Sequence, residues 1–227
     1  MELYVDSGNV KEIIELKEWL PLDGITVNPS IVAVEKKELY PLLEELLNLS
    51  KKYLHVQVLS DEKKEIIKEA EELHAFSKKI IVKIPVSKDG LAAIKELDTE
   101  EIKITATAIF TVTHAFTAAK AGANYLAPYV SRLDKIEQSG VKLVKEMKEM
   151  LELNHFSAKI IAASIKNANQ VKELIRTGIQ AITLSPEILI QSHQHPLTNR
   201  AVELFRTDWL NTFQEFKLDA CLKKSDI

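Results

Sequence analysis

The chain has 227 residues, 46% of them apolar and 28% charged, with a formal net charge of −3. That is the composition of a soluble globular protein with length for one large domain or two small ones, and so small a charge imbalance gives no reason to expect nucleic acid or an acidic membrane as a partner. A single cysteine, Cys221 in the charged tail "CLKKSDI", excludes an intramolecular disulfide framework and suits a reducing cytoplasm; no leader-like start or membrane-length apolar run is present, so a soluble, unprocessed chain is expected.

In chain order, short apolar runs rich in β-branched residues alternate with stretches of helical apolar spacing. "ELYVD" leads to "NVKEIIELKEWL", and "GITVN" and "YLHVQV" follow, the latter leading to "DEKKEIIKEAEELHAF". "KIIVKIP" precedes "GLAAIKEL", "KITATAI" precedes "THAFTAAKAG", and "NYLAPYV" precedes "GVKLVKEMKEMLEL". "KIIAAS" then leads to "NANQVKELIRTG", and "AITLS" is the eighth run. Asn9, Ser87 and Asn167 are expected helix starts, Gly122 and Gly178 expected stops. Alternating strands and helices imply right-handed crossovers and a parallel sheet. Eight units in one domain's length favour a closed (β/α)8 TIM barrel over an open doubly wound sheet of five or six strands.

No linker or low-complexity tract cuts the chain, so residues 1–227 are expected to form one barrel domain. Residues 186–216 read as two further helices broken near Pro196, and 217–227 as a tail. The last helix carries Val202, Leu204, Phe205, Trp209, Leu210, Phe213 and Phe216, enough apolar surface to pack either on a neighbouring subunit or on its own barrel.

Seven of the eight runs carry a polar residue late in the run: Asp6, Asn28, Gln57, Lys83, Thr107, Tyr129 with Arg132 just beyond, and Ser164. Taken singly, each reads as a cap or turn former. In a barrel the strand C-termini converge on one mouth, where such residues make a site. Lys83 stands out within "KIIVKIPVS": it shares a face with Ile81, while Ile80, Val82 and Ile84 take the other, so it is not the wet side of an amphipathic strand. Burial favours the neutral amine, the form that attacks carbonyls in Schiff-base chemistry. The other reading of Lys83 is a buried ion pair with Asp6 and no chemistry.

The stretches "MELYVDSG", "GITVNPSI", "HVQV", "IVKIPVSKDGLAAIKEL", "TATAIF", "AGANYLAPYVSRLD", "KIIAASIKN" and "AITLSPEI" resemble the small bacterial transaldolases, most closely their fructose-6-phosphate aldolase branch, over about residues 1–216. The resemblance implies a metal-independent class I aldolase without a cofactor. Such enzymes act on sugar phosphates and dihydroxyacetone and often assemble as homo-oligomeric decamers of two pentameric rings. It makes Lys83 the Schiff-base lysine, Asp6 the nearby carboxylate that handles protons and donor hydroxyls, and Asn28 the amide that holds a donor hydroxyl. Gln57, Thr107 and Tyr129 become the trio around a proton-shuttling water, and Arg132 with Ser164 the phosphate-binding pair. Transaldolases proper carry glutamate at the position of Gln57 and phenylalanine at that of Tyr129, so this pair implies the aldolase branch. Transaldolase, transferring a dihydroxyacetone unit within pentose phosphate metabolism, is the alternative. Ala106 stands where glycine is expected, and Ser131 where asparagine is common.

Two other chemistries compete. A metal-dependent aldolase would want clustered ligands; His193 and His195 instead read as a helix-end or loop pair, and His55, alternating with Gln57, as a core histidine facing the barrel. A non-catalytic barrel could hold a sugar phosphate, or a cofactor aldehyde such as pyridoxal phosphate, on Lys83. With six glycines the chain has no G-x-G-x-x-G or G-x-x-x-x-G-K-[ST] loop for a nucleotide.

Overall fold

The computed structural model describes residues 1–98 and 101–218; Cys221 lies outside them, as do the other tail residues from 219 on. Eight strands pair in sequence order into a closed parallel barrel, with β8 returning to β1. They are β1 (Glu2–Asp6), β2 (Gly24–Val27), β3 (Leu54–Gln57), β4 (Ile80–Pro85), β5 (Ile104–Ile109), β6 (Tyr125–Pro128), β7 (Lys159–Ala162) and β8 (Ala181–Leu184). Each of the eight apolar runs supplies one of them, as the alternation with helical segments requires.

Around the barrel run α1 (Val10–Lys17), α2 (Pro29–Glu35), α3 (Leu39–Leu49), α4 (Lys63–Phe76), α5 (Lys88–Leu97), α6 (Val112–Lys120), α7 (Val130–Asp134), α8 (Gly140–Leu153) and α9 (Ala168–Thr177). Asn9, Ser87 and Asn167 cap α1, α5 and α9 by accepting backbone N–H bonds, and Gly178 ends α9 in the left-handed conformation. Gly122 follows α6 at φ 104°, a value only glycine adopts without strain. Three helices escaped the periodicity: α2 and α7 are short, and α3 buries Leu42, Leu43 and Leu46 in a stretch whose near-continuous leucines blur the 3.6-residue period.

Two apolar layers separate the inside of the barrel from its outside. Ile80, Val82 and Ile84 join the large core between strands and helices. Ile81 packs inside with Tyr4, Tyr125, Ala127, Ile161 and Ala181. The inward face of β4 is therefore the one that also carries Lys83. At the N-terminal end of the barrel, Glu2 accepts from the hydroxyls of Tyr4 (3.0 Å) and Tyr125 (3.2 Å) and pairs with Lys52 and Lys159, each at 3.4 Å. This plug leaves the opposite end as the open mouth. There α5 packs so closely on the end of β4 that a Cβ at Gly90 would lie 1.9 Å from the Pro85 carbonyl oxygen.

The chain divides into two compact units, Met1–Leu189 with the barrel and a second from Ile190 onward. Helix α10 (Pro186–His193) follows β8, and α11 (Pro196–Phe213) is the main element of the second unit. The break between them falls before Pro196, which occupies the first turn of α11 where its missing N–H is harmless. His195 caps that helix, its Nδ1 accepting from Leu197 N at 3.2 Å. Among the described residues no helix is long and apolar enough to cross a membrane.

Candidate active site

Strand register brings several of the polar strand-end residues to one level. Gln57 pairs with Lys83 across β3 and β4, and Lys83 with Thr105 across β4 and β5. Because side chains alternate, Gln57 and Lys83 project to the same inner side at adjacent positions around the mouth. Lys83 is only 7% exposed and is the one buried lysine among the described residues. Its Nζ donates to the Val27 carbonyl at 3.1 Å. Burial pushes its ammonium below the ordinary lysine range, and the Asp6 carboxylate opposes that only in part. No Lys83–Asp6 ion pair occurs; the two interact at longer range.

Asp6 is occupied otherwise. Thr26 Oγ1 donates to its Oδ1 at 2.6 Å, a charge-assisted bond. Having one proton to give, Thr26 must accept from Thr183 Oγ1, which lies 2.7 Å away. Thr183, Thr26 and Asp6 thus form a chain from β8 to β1 that fixes the carboxylate at the mouth. Asn28 begins α2 and its Oδ1 accepts from Ile31 N at 3.1 Å. The bland reading of Asn28 as a cap is therefore correct for its oxygen, while its NH2 keeps two donors for a ligand.

On the other side, Thr107 is fully buried and its Oγ1 donates to the Tyr129 hydroxyl at 3.1 Å. Tyr129 lies just past β6, bridged to Ala163, with Phe110 edge-on to its ring at 5.6 Å. Gln57 Oε1 is buried with no hydrogen-bond partner, an acceptor in need of water or substrate. The end of β5 is irregular: its register with β6 shifts between Ala106 and Ile109, and Ala108 takes φ 57°. A left-handed alanine costs about 1–2 kcal/mol, and such strain re-aims neighbouring side chains at barrel rims. Ala106 itself is fully buried in the outer core, on the face opposite the site.

Arg132 is exposed, with its guanidinium 4.5 Å above the Tyr129 ring centroid and no carboxylate partner among the described residues. Ser164, also left-handed at φ 57°, is held beside it: Ser131 N donates to the Ser164 carbonyl at 2.8 Å. Gln170 ties α7 to the segment after β7, since its Oε1 accepts from Ser131 Oγ at 2.9 Å and Lys166 N at 2.8 Å while its Nε2 donates to Asp134. Ser131 thus has a structural task that its departure from asparagine did not disclose. The sequence reading missed Thr26, Gln170 and Asp134. Thr26, two residues before Asn28, could have been found by alternation; the other two lie on helices and carry no motif.

The arrangement is a buried amine whose charged form is disfavoured, a carboxylate, acceptors and hydroxyls free for a ligand, and a cation at the rim. Among the described residues no three His, Cys, Asp or Glu side chains gather as metal ligands.

A family model described as transaldolase/fructose-6-phosphate aldolase matches residues 3–225. Among solved structures, the chain is similar to a thiamine phosphate pyrophosphorylase from Pyrococcus furiosus, with 18% identity and a TM-score of 0.57 over 81% of this chain and 85% of the other. That likeness is one of fold.

Proposed function

The chain belongs to the transaldolase/fructose-6-phosphate aldolase family, and from that premise we propose that it is a metal-independent, Schiff-base aldolase. It would interconvert fructose 6-phosphate with dihydroxyacetone and glyceraldehyde 3-phosphate in the cytoplasm. The observation that carries this reading is Lys83, a buried amine on the inner face of β4 that is bonded to a carbonyl rather than neutralised by a carboxylate.

In cleavage, the Lys83 amine adds to the ketone carbon and water leaves, giving an iminium. A base removes the proton of the hydroxyl on carbon four, the bond between carbons three and four breaks, and its electron pair flows into the iminium to form an enamine. Glyceraldehyde 3-phosphate departs, its phosphate released from Arg132 and Ser164. A proton delivered through water held by Gln57, Thr107 and Tyr129 converts the enamine back to an iminium, and hydrolysis frees dihydroxyacetone. Asp6 and the Asn28 amide hold the hydroxyls of the three-carbon unit. Supporting these roles are the unpartnered Gln57 oxygen, the spare Asn28 donors and the Arg132 cation without a carboxylate.

The family includes transaldolases, in which an acceptor aldehyde such as erythrose 4-phosphate captures the enamine. Gln57 and Tyr129 favour the aldolase. The test is glyceraldehyde 3-phosphate release from fructose 6-phosphate with and without erythrose 4-phosphate: release without acceptor is expected, and strict dependence on the acceptor would make the protein a transaldolase.

The reading extends to assembly. Val202 is 60% and Phe205 71% exposed on α11, with Leu197, Leu204 and Phe213 also open to solvent. Exposed apolar side chains in this number favour a homo-oligomer with α11 as the inter-subunit arm, in the decameric form the resemblance implies.

A further inference from the structure

The floor beneath Lys83 is polar. His55 on β3 and Thr105 on β5 stand on the two strands that flank β4, His55 level with Ile81 and Thr105 level with Lys83. Their side chains meet inside the barrel, with Nδ1 and Oγ1 2.8 Å apart. The bond therefore crosses the inner face of β4 between Ile81 and Lys83. The ring is fully buried, edge-on to Tyr4 and Tyr125 with centroids at 4.9 and 5.1 Å. Its Nε2 has no hydrogen-bond partner. A buried imidazole with one bare nitrogen is a costlier filler than an apolar ring.

We infer that His55 is a positioning residue for Lys83: pinned across β4 by Thr105, its uncharged ring keeps water from beneath the amine and holds that amine level with the Val27 carbonyl. The functional consequence rests on the Schiff-base reading, whereas the placement of the amine does not. The Asp6 carboxylate on β1 favours the Lys83 ammonium, and the Lys83 charge in turn bears on His55 on β3. Against the His55 ring stand Tyr4 from β1 and Tyr125 from β6, with Glu2 bound to both tyrosine hydroxyls. Burial, reinforced by the Lys83 charge, holds the imidazole pKa down to about 3. The floor is uncharged throughout the neutral range. Opening it beside the Thr105 hydroxyl would make a polar space large enough for water, and a hydrated amine keeps its proton to higher pH.

The test labels the full-length protein with trace acetic anhydride across a pH series and reads acetylation at Lys83 by mass spectrometry. Borohydride trapping with dihydroxyacetone runs in parallel. His55→Ala is expected to move the Lys83 midpoint up by about one pH unit, leaving roughly tenfold less neutral amine and roughly tenfold slower trapping at neutral pH, recovered at alkaline pH. If His55→Ala does not fold, His55→Ser makes the same opening with a hydroxyl for Thr105. His55→Phe keeps a ring in the floor while losing both the Thr105 bond and the bare nitrogen, so it is expected to keep the midpoint of the native protein. A native midpoint in the Ala or Ser variant, or a Phe midpoint shifted as far as theirs, would overturn the inference. Shifted midpoints without any dihydroxyacetone adduct would leave the floor standing and remove the Schiff-base reading instead.

Discussion

Thr107 Oγ1 donates to the Tyr129 hydroxyl across 3.1 Å, tying the interior of β5 to the residue just past β6. Because threonine supplies that proton, the tyrosine's own O–H remains available to water or substrate. A phenylalanine there would keep the ring and lose that O–H.

Tyr129→Phe is therefore expected to slow acceptor-independent cleavage of fructose 6-phosphate by about 10²–10⁴-fold, the range for a lost acid/base group. Transfer to erythrose 4-phosphate should fall much less, since the acceptor bypasses enamine protonation. Stability should drop by about 1 kcal/mol for the lost hydrogen bond. Comparing the two assays on one preparation checks this; equal losses in both would remove Tyr129 from the protonation step.

Arg132 is a rim cation with no carboxylate partner among the described residues. Arg132→Ala should lower kcat/KM for glyceraldehyde 3-phosphate by roughly 10–150-fold, the equivalent of about 1.5–3 kcal/mol for a charged hydrogen bond. Addition of dihydroxyacetone to unphosphorylated glyceraldehyde should change little. Steady-state kinetics with both aldehydes decide it, and a uniform loss would contradict the phosphate role.

The fold was legible because a barrel strand buried on both faces writes itself as a short β-branched run, and the eight runs are evenly interleaved with amphipathic helices. Parity put Lys83 on one face with Ile81, and the packing of Ile81 among Tyr4 and Tyr125 makes that the inner face. What sequence could not disclose was partnership. The alternative of a direct Lys83–Asp6 ion pair stood open until Asp6 was found accepting from Thr26, and Lys83 donating to Val27. His55 read as a core histidine, which it is in position but not in satisfaction, since one ring nitrogen is bare. Such outcomes depend on which strands face each other across the barrel, a property of closure that no local pattern encodes.

His55 also predicts an acid sensitivity. Its imidazole is depressed to about 3 in the folded state against 6.5 for an ordinary histidine, so below pH 6.5 the unfolded chain binds a proton that the folded one refuses. Stability from this source is fully present above pH 6.5 and falls by up to roughly 1.4 kcal/mol per pH unit toward pH 3. Urea unfolding at pH 7 and pH 5 should show a smaller loss on acidification for His55→Phe than for the native protein. An identical loss in both would mean that the imidazole titrates alike in the folded and unfolded chains.

The α11 arm makes a prediction about mass. Val202→Asp combined with Phe205→Asp places two charges on the exposed apolar face, and light scattering should report a smaller particle with helix content unchanged by circular dichroism. An unaltered mass would exclude this face from the assembly contact.

The central claim is that Lys83 forms a covalent imine with a ketone substrate. The protein is incubated with dihydroxyacetone or fructose 6-phosphate, reduced with borohydride, digested and mapped by mass spectrometry. A reduced adduct is expected on Lys83, absent from Lys83→Ala together with all turnover. No adduct, or an adduct confined to another lysine, would contradict it.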